Sequence, residues 1–378
     1  MKINHFVIGV ILLCILYSLV SGNKVEIILY DKDGKILATI NSTDREKELN
    51  LSQYGAVRIE GLDKLKRLKK LDLTYNKISK IEGLDDLENL EVLFLSNNKI
   101  SKIEGLDNLK NLKGLSLSNN KISKIEGLDN LKNLEELYLN NNRISKIEEL
   151  DNLENLEALL LNNNRILKIE GLNNLKNLKA LLLHNHIMWR LEGEEAVPFD
   201  NNRISKLEGL DNLKNLTVLN LSYNNISKLE GFENLENLKE LSIFNNNISN
   251  LERLDNLKNL KILNLSYNNI LKIEGLDNLK YLTELDLGTN YIQKIENLDL
   301  LTNLVLLDLD DNKITKIEGL SKLENLKELS LKYNAITKIE NLENLKKLQI
   351  LSLRDNELTE QEYELAKKGY PRIDFRSW

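Results

Sequence analysis

Asparagine recurs along this chain with a fixed step. Asn76, Asn98, Asn120, Asn142 and Asn164 are each 22 positions apart, and Asn202, Asn224, Asn246, Asn268, Asn290, Asn312, Asn334 and Asn356 resume the same step. Around each lies a common pattern, as in Leu115-Ser116-Leu117-Ser118-Asn119-Asn120-Lys121-Ile122-Ser123-Lys124-Ile125. A period of this length restricts the chain to architectures in which one supersecondary unit stacks on the next. At 378 residues the chain exceeds what one globular core usually supports. A stacked array escapes that limit because its core grows along a single axis.

Each conserved residue type in the unit has its own physical reason. Leu115 and Leu117 alternate at period two, so one face of a short strand points inward and the other meets solvent. Stacked in parallel, the inward leucines and isoleucines form one continuous core. The asparagine turns its amide inward at the bend after the strand, where backbone groups would otherwise be buried without partners. The closing segment, such as Glu126 to Leu134, is too short for a full helix and predicts 3-10 or irregular backbone on a convex side. Phase-counting gives strand starts at Leu49, Leu71, Leu93, Leu115, Leu137, Leu159, Leu181, Val197, Leu219, Leu241, Leu263, Leu285, Leu307, Leu329 and Leu351. That predicts fifteen repeats in an α/β-type, mostly-β solenoid, an arc with a parallel concave sheet. The first repeat is degenerate, with Tyr54 at the Asn position and Ala56 at the Ile position.

The flanks differ from the repeats. Residues 1–22 combine Lys2, an apolar run from Phe6 to Val20 and the small residues Ser21 and Gly22, the pattern of a secretory signal peptide cut near Gly22. The apolar run is short for a membrane span, and an uncleaved anchor is the alternative. Residues 23–48 predict a hairpin cap, with Asp33-Gly34 as its turn between Val25–Tyr30 and Lys35–Ile40. The solenoid spans 49–358. Residues 359–378 predict a helix-strand cap, opened by Thr359-Glu360-Gln361-Glu362 in the manner of a capping box. The only cysteine, Cys14, lies in the leader.

One stretch, about 186–202, abandons the consensus. His186 stands where the next Asn belongs, and Asn202 follows after only 16 positions. The favoured reading is a repeat shortened by six residues, with Val197-Pro198-Phe199 as its strand and a kink as its consequence. A functional kink and an artefact of the gene model are the alternatives. His184 and His186 are too few ligands for a metal site.

No catalytic constellation is present: beyond residue 22 the chain has no cysteine, no Gly-rich phosphate loop, and no histidine other than His184 and His186. No cofactor or metal is implied, and the chain reads as a non-enzymatic binding protein. Lys and Glu are interspersed and the formal charge is −6, so no basic stripe suits nucleic acid. A protein partner on the concave face is the expectation, with membrane contact only through an uncleaved leader. Phe94, Tyr138, Leu160 and Leu182 occupy the equivalent outward position and predict one exposed apolar patch. Tyr75, Tyr223, Tyr267 and Tyr333 form a rim beside the Asn turn. Asp286, Asp308, Asp310 and Asp311 form an acidic patch suited to a basic partner surface in preference to Ca²⁺.

At Ile295-Glu296-Asn297-Leu298 and Ile339-Glu340-Asn341-Leu342 the chain resembles the 22-residue leucine-rich repeats of the regulatory subunit of protein phosphatase 1. Bacterial internalins are similar in period but place Thr-Pro where this chain has Glu-Gly. The resemblance covers about Leu49 to Leu358. It implies a repeat arc that holds a protein, and by similarity of residue type it adds Asp72, with Phe94, Tyr138, Asp286 and Asp308, to the binding face. Two functions follow as expectations: a protein-binding scaffold outside the cytoplasm, or a phosphatase-regulator-like subunit in the cytoplasm.

Overall fold

The computed structural model describes residues 22–185, 189–192, 195–198 and 201–376. The leader reading therefore lies, apart from Gly22, outside the described residues. The chain forms two compact units, Met1–Ile144 with Glu149–Leu156 and Ser145–Glu148 with Glu157–Trp378. Among the described residues no helix is long and apolar enough to cross a membrane.

The first unit opens with a hairpin of β1 (Lys24–Tyr30) and β2 (Ile36–Thr43). Asp31 nucleates its turn: its carboxylate accepts the amides of Asp33 and Lys35 at 2.9 and 2.8 Å. Val25, Ile27 and Leu29 alternate into the core, so one face of the hairpin seals the end of the array. After β3 (Glu48–Asn50), β4 (Arg58–Glu60) pairs antiparallel with β1. Then β5 (Lys70–Asp72), β6 (Val92–Phe94), β7 (Gly114–Ser116) and β8 (Glu136–Tyr138) continue a parallel ladder begun by β3. Leu49, Leu71, Leu93, Leu115 and Leu137 are in register.

Opposite the strands, each coil closes through Leu-x-x-Leu-x-x-Leu. In one coil the Leu87 amide donates to the Leu84 carbonyl at 3.0 Å, and the Leu90 amide to that of Leu87 at 2.9 Å. These are i→i+3 bonds of 3-10 type, and their three-residue turn puts Leu84, Leu87 and Leu90 on one face. All three are buried. A second asparagine series, not anticipated, runs along this side. Asn111 and Asn133 each donate to a carbonyl of the preceding coil, at 2.8 and 2.9 Å, and Asn259 does the same at 2.8 Å.

The second unit opens with β9 (Ala158–Leu160) and β10 (Ala180–Leu182), which pair in parallel. A hairpin of β11 (Trp189–Glu192) and β12 (Glu195–Pro198) follows. Seven strands then stack in parallel: β13 (Val218–Asn220), β14 (Glu240–Ser242), β15 (Ile262–Asn264), β16 (Glu284–Asp286), β17 (Leu306–Asp308), β18 (Glu328–Ser330) and β19 (Ile350–Ser352). Helix α1 (Glu360–Gly369) and β20 (Asp374–Arg376) close the chain, and β20 pairs parallel with β19. Thr359 Oγ1 caps the helix by accepting the Glu362 amide at 3.2 Å. The Glu362 carboxylate accepts the Ile339 amide of the preceding coil, which ties cap to solenoid.

The expectation of fifteen repeats fails at Val197; the solenoid has about fourteen turns. Val197 pairs antiparallel with Arg190 inside the β11–β12 hairpin. The neighbour of β10 in the ladder is β13, with Leu181 opposite Leu219. Joining Asn185 directly to Asn202 would write Leu181-Leu182-Leu183-His184-Asn185-Asn202-Arg203-Ile204, which is the uninterrupted consensus. Residues 186–201 are therefore an insertion of 16 residues within one 22-residue coil. The shortened-repeat reading is corrected accordingly.

One backbone requirement explains the Glu-Gly and Glu-Asn variants of the repeat. Gly319 has φ +66°, and a Cβ there would lie 2.3 Å from the Ile295 carbonyl oxygen. Where asparagine stands instead, Asn297 and Asn341 also adopt positive φ, 57° and 62°. Their amides donate to the Ile273 and Ile317 carbonyls of the preceding coil, both at 2.7 Å. Glycine fills this position in most coils because it enters the left-handed region freely, and asparagine tolerates it; Glu149 and Arg253 stand there too, at φ 55° and 72°.

Candidate functional site

Because the central leucine of each strand faces inward, the residues on either side of it form the open face of the sheet. In the first unit the residue after that leucine is Asp72, Phe94, Ser116 and Tyr138 on successive strands. Phe94 and Tyr138 are half-buried and separated by one strand, whose Ser116 is only 7% exposed. The Lys70 ammonium lies 5.9 Å from the Phe94 ring centroid. The Tyr138 hydroxyl donates to Glu136 at 2.6 Å. Burial and then that carboxylate push the Tyr138 phenol up to about 12. Asp72 is turned to structure, accepting the Thr74 amide at 2.9 Å.

Leu160 and Leu182 belong to the second unit, where they lie opposite each other on β9 and β10, both half-buried. The four apolar residues thus divide into two pairs, one in each unit. His184 follows on the same strand exit; its partner in the rejected metal reading, His186, lies outside the described residues.

Farther along the second unit the acidic residues have explicit bonding roles. Asp286 accepts the Gly288 amide at 3.0 Å and the Ser266 hydroxyl at 3.0 Å. Asp308 accepts the Asp310 amide at 2.9 Å. Asp310 accepts the Lys332 amide at 2.7 Å and pairs with its ammonium at 2.9 Å. The Asp286 and Asp308 carboxylates therefore close bends at strand ends, as Asn220 and Asn264 do in the same column at 3.0 Å, while Asp310 ties its coil to the next through Lys332. Among the described residues no three acidic, histidine or cysteine side chains converge to hold a metal ion.

Asp308 is the exception in energy. Burial pushes its carboxyl up to about 6, with the neighbouring charges of Asp310 and Asp286 adding to the rise. In the fold it holds its proton until about pH 6, and in the unfolded chain only to about pH 4. Stability is therefore lost as pH rises through this window, and the loss is complete above pH 6. Asp308→Asn keeps the amide acceptor and removes the charge. It is expected to stabilise the protein by on the order of 1–3 kcal/mol at pH 7–8 and to make little difference near pH 4. Thermal melts across that range check this; a variant less stable than wild type at pH 8 contradicts it.

The rim tyrosines occupy the residue before the ladder asparagine, which is left-handed in coil after coil: Tyr75 φ 56°, Tyr223 φ 57°, Tyr267 φ 56° and Tyr333 φ 55°. Tyr223 and Tyr267 flank Phe244, which was not anticipated. The ring centroids are 4.8 Å apart for Tyr223–Phe244 and 5.0 Å for Phe244–Tyr267, both edge-on. Three aromatics in a row on a sheet face are the densest exposed ring cluster among the described residues. The sequence signal was present: Phe244 replaces the serine that its neighbours carry as Ser222 and Ser266.

Stacked 22-residue coils, leucines inward and an asparagine at each bend, define a parallel β-solenoid that displays an open sheet face. The chain belongs to the leucine-rich-repeat family. The family model described as "Leucine Rich repeats (2 copies)" matches residues 66–108, 88–128, 110–152, 214–256, 236–278, 258–300, 302–344 and 324–363. No curated protein sequence matches the chain. Among solved structures it is similar to an internalin, InlF, of Listeria monocytogenes: 30% identity, TM-score 0.68, covering 78% of this chain and 82% of that one. A leucine-rich-repeat protein of Leptospira interrogans shares the fold at 24% identity and TM-score 0.65, covering 88% of this chain and 90% of that one. TLR13 in complex with ssRNA13 matches at 25% identity and TM-score 0.67, with 87% of this chain covered but only 53% of that receptor.

Proposed function

We propose that the chain is a non-enzymatic scaffold that binds a protein partner on the open face of its repeat sheet, outside the cytoplasm. The observation that carries this reading is a contrast within one column of that face, the residues that follow the central leucines. Most outward positions are small or polar, yet Phe94 and Tyr138 in the first unit, and Leu160 and Leu182 in the second, leave apolar side chains part-exposed. Aromatic anchors of this kind dominate binding energy where proteins meet. The apolar segment at residues 6–20 supports export. The likeness to TLR13 with RNA raises a nucleic-acid reading, which the carboxylates of Asp286, Asp308 and Asp310 oppose by repelling phosphate.

The test is affinity capture from extracts of the source cells, comparing wild type with Phe94→Ala/Tyr138→Ala and with Leu160→Ala/Leu182→Ala. At least one pair is expected to reduce partner recovery about tenfold, a loss of ~1.4 kcal/mol, with an unchanged melting profile. Equal recovery from both folded variants contradicts the reading. N-terminal sequencing of the native protein tests location: a terminus near Asn23 is expected, and a cytosolic protein with an intact leader returns the phosphatase-regulator reading.

A further inference from the structure

A second pattern on the face of the second unit concerns the residue before each central leucine. From β13 to β19 it alternates strictly: Val218, Glu240, Ile262, Glu284, Leu306, Glu328, Ile350. The three glutamates are exposed and the four aliphatic residues half-buried. Among the described residues none of the three glutamates makes an ion pair. Parallel strands lie about 4.8 Å apart, so identical charges on neighbouring strands would repel, and alternation spaces these carboxylates about 9–10 Å from one another. Lys239, Lys261 and Lys327 lie one residue earlier, before the strands begin, at the rim of the sheet.

Two residues farther along each strand, about 6.6 Å away, lies a low column of Asn220, Ser242, Asn264, Asp286 and Asp308. Beyond the strand ends, two or three residues farther on in the first three of these coils, stand the rings of Tyr223, Phe244 and Tyr267. A small polar floor thus runs across the strands, with spaced carboxylates along one side and, at its β13–β15 end, aromatic rings on the other.

We propose that this strip binds a polyproline-II segment of a protein partner that carries lysine or arginine at every third residue. The inference rests on the sheet-face reading above and names the partner's chemistry. Polyproline II has three residues per turn and a rise of about 3.1 Å, so residues i and i+3 share a face about 9.3 Å apart, matching the glutamates. A β-strand covers a similar distance in three residues but turns i and i+3 to opposite faces. An α-helix brings side chains back to one face at about 5.4 or 10.5 Å. Pyrrolidine rings between the cations pack on aromatic-lined grooves because the segment is already ordered.

Fluorescence anisotropy with synthetic peptides tests the proposal on the full-length protein. One probe is five Lys-Pro-Pro triplets. The other has identical composition, with lysine at every second position and the remaining prolines at the end. The triplet peptide is expected to bind at least about tenfold tighter, and Glu240→Gln/Glu284→Gln/Glu328→Gln to abolish the preference without shifting the melting midpoint. Phe244→Ala is expected to weaken the triplet peptide at least about threefold. Equal affinity for the two peptides, no binding of either, or an unaltered preference in the triple variant overturns the proposal. If those results coincide with loss of partner in the Phe94/Tyr138 or Leu160/Leu182 variants, the sheet-face scaffold stands and only the partner class falls. If capture is unaffected as well, both fall.

Discussion

Asn268→Ala is expected to lower the stability of the repeat array by about 3 kcal/mol. The Asn268 side chain is 5% exposed and bonds backbone groups of its own and the preceding coils. Its Oδ1 accepts the Ile248 amide of the preceding coil at 2.9 Å. Its Nδ2 donates to the Ile243 and Leu265 carbonyls, both at 3.0 Å, and lies 3.2 Å from that of Ser266. Alanine leaves the Ile248 amide buried without its acceptor, at a cost of about 1–3 kcal/mol, and takes one of two donors from the Ile243 and Leu265 carbonyls, which keep Asn246 and Asn290. Asn268→Asp is expected to be worse, because it places a carboxylate against two carbonyl oxygens. The outermost rung supplies the control. Asn356 makes the equivalent bonds, to Ile336, Leu331 and Leu353, but is only half-buried. Water can replace its side chain, so Asn356→Ala is expected to cost less than half as much. Urea melts of both variants check the ordering; equal losses would mean that the ladder is not limited by burial.

The ladder also shows which parts of this fold could be read from residues alone. The inward leucines and the asparagines are legible because each serves a fixed backbone geometry, so their period is the period of the coil. Leu-x-x-Leu-x-x-Leu was equally legible as a tight, non-helical turn. Asn111, Asn133 and Asn259 escaped notice because exposed asparagine on a polar side resembles solvated surface until the carbonyl of the neighbouring coil is placed beside it. Asn297 and Asn341 were legible as a motif but misleading as a signature of one partner. The structure gives them a backbone reason that any chain with this coil shares. On the face itself, attention to the residue after each central leucine found Phe94 and Tyr138. It passed over Phe244, two positions farther on, whose meaning depends on contact with tyrosines from neighbouring coils.

The insertion at residues 186–201 is where phase-counting failed, since Val197-Pro198-Phe199 imitates the apolar alternation of a ladder strand. It also yields the sharpest contrast available in this protein. Asn202 takes the ladder position of the coil that begins at Leu181, although the insertion separates it from that strand. Its Oδ1 accepts the Ile166 amide at 2.9 Å, and its Nδ2 donates to the Leu161 and Leu183 carbonyls at 3.0 Å each. Asn185 clasps it: the Asn185 Oδ1 accepts the Asn202 amide at 2.8 Å, and its Nδ2 donates to the Asn202 carbonyl at 2.9 Å and to that of Tyr223. The two asparagines close the base of the insertion, so the coil beyond it keeps its register. Asn202→Ala is accordingly expected to cost about as much as an inner rung, about 3 kcal/mol, because it leaves the buried Ile166 amide without its acceptor, while the Asn185 bonds to the Asn202 backbone are kept. Deleting residues 186–201 should act in the opposite direction. It brings Asn185 and Asn202 into sequence, preserves the consensus, and removes a closure entropy of about 2 kcal/mol for a 16-residue loop. The deletion variant is expected to fold with an unaltered circular dichroism spectrum and a melting midpoint at or above that of wild type. A marked fall in that midpoint would show that residues 186–201 are part of the solenoid after all, and the shortened repeat would have to be restored.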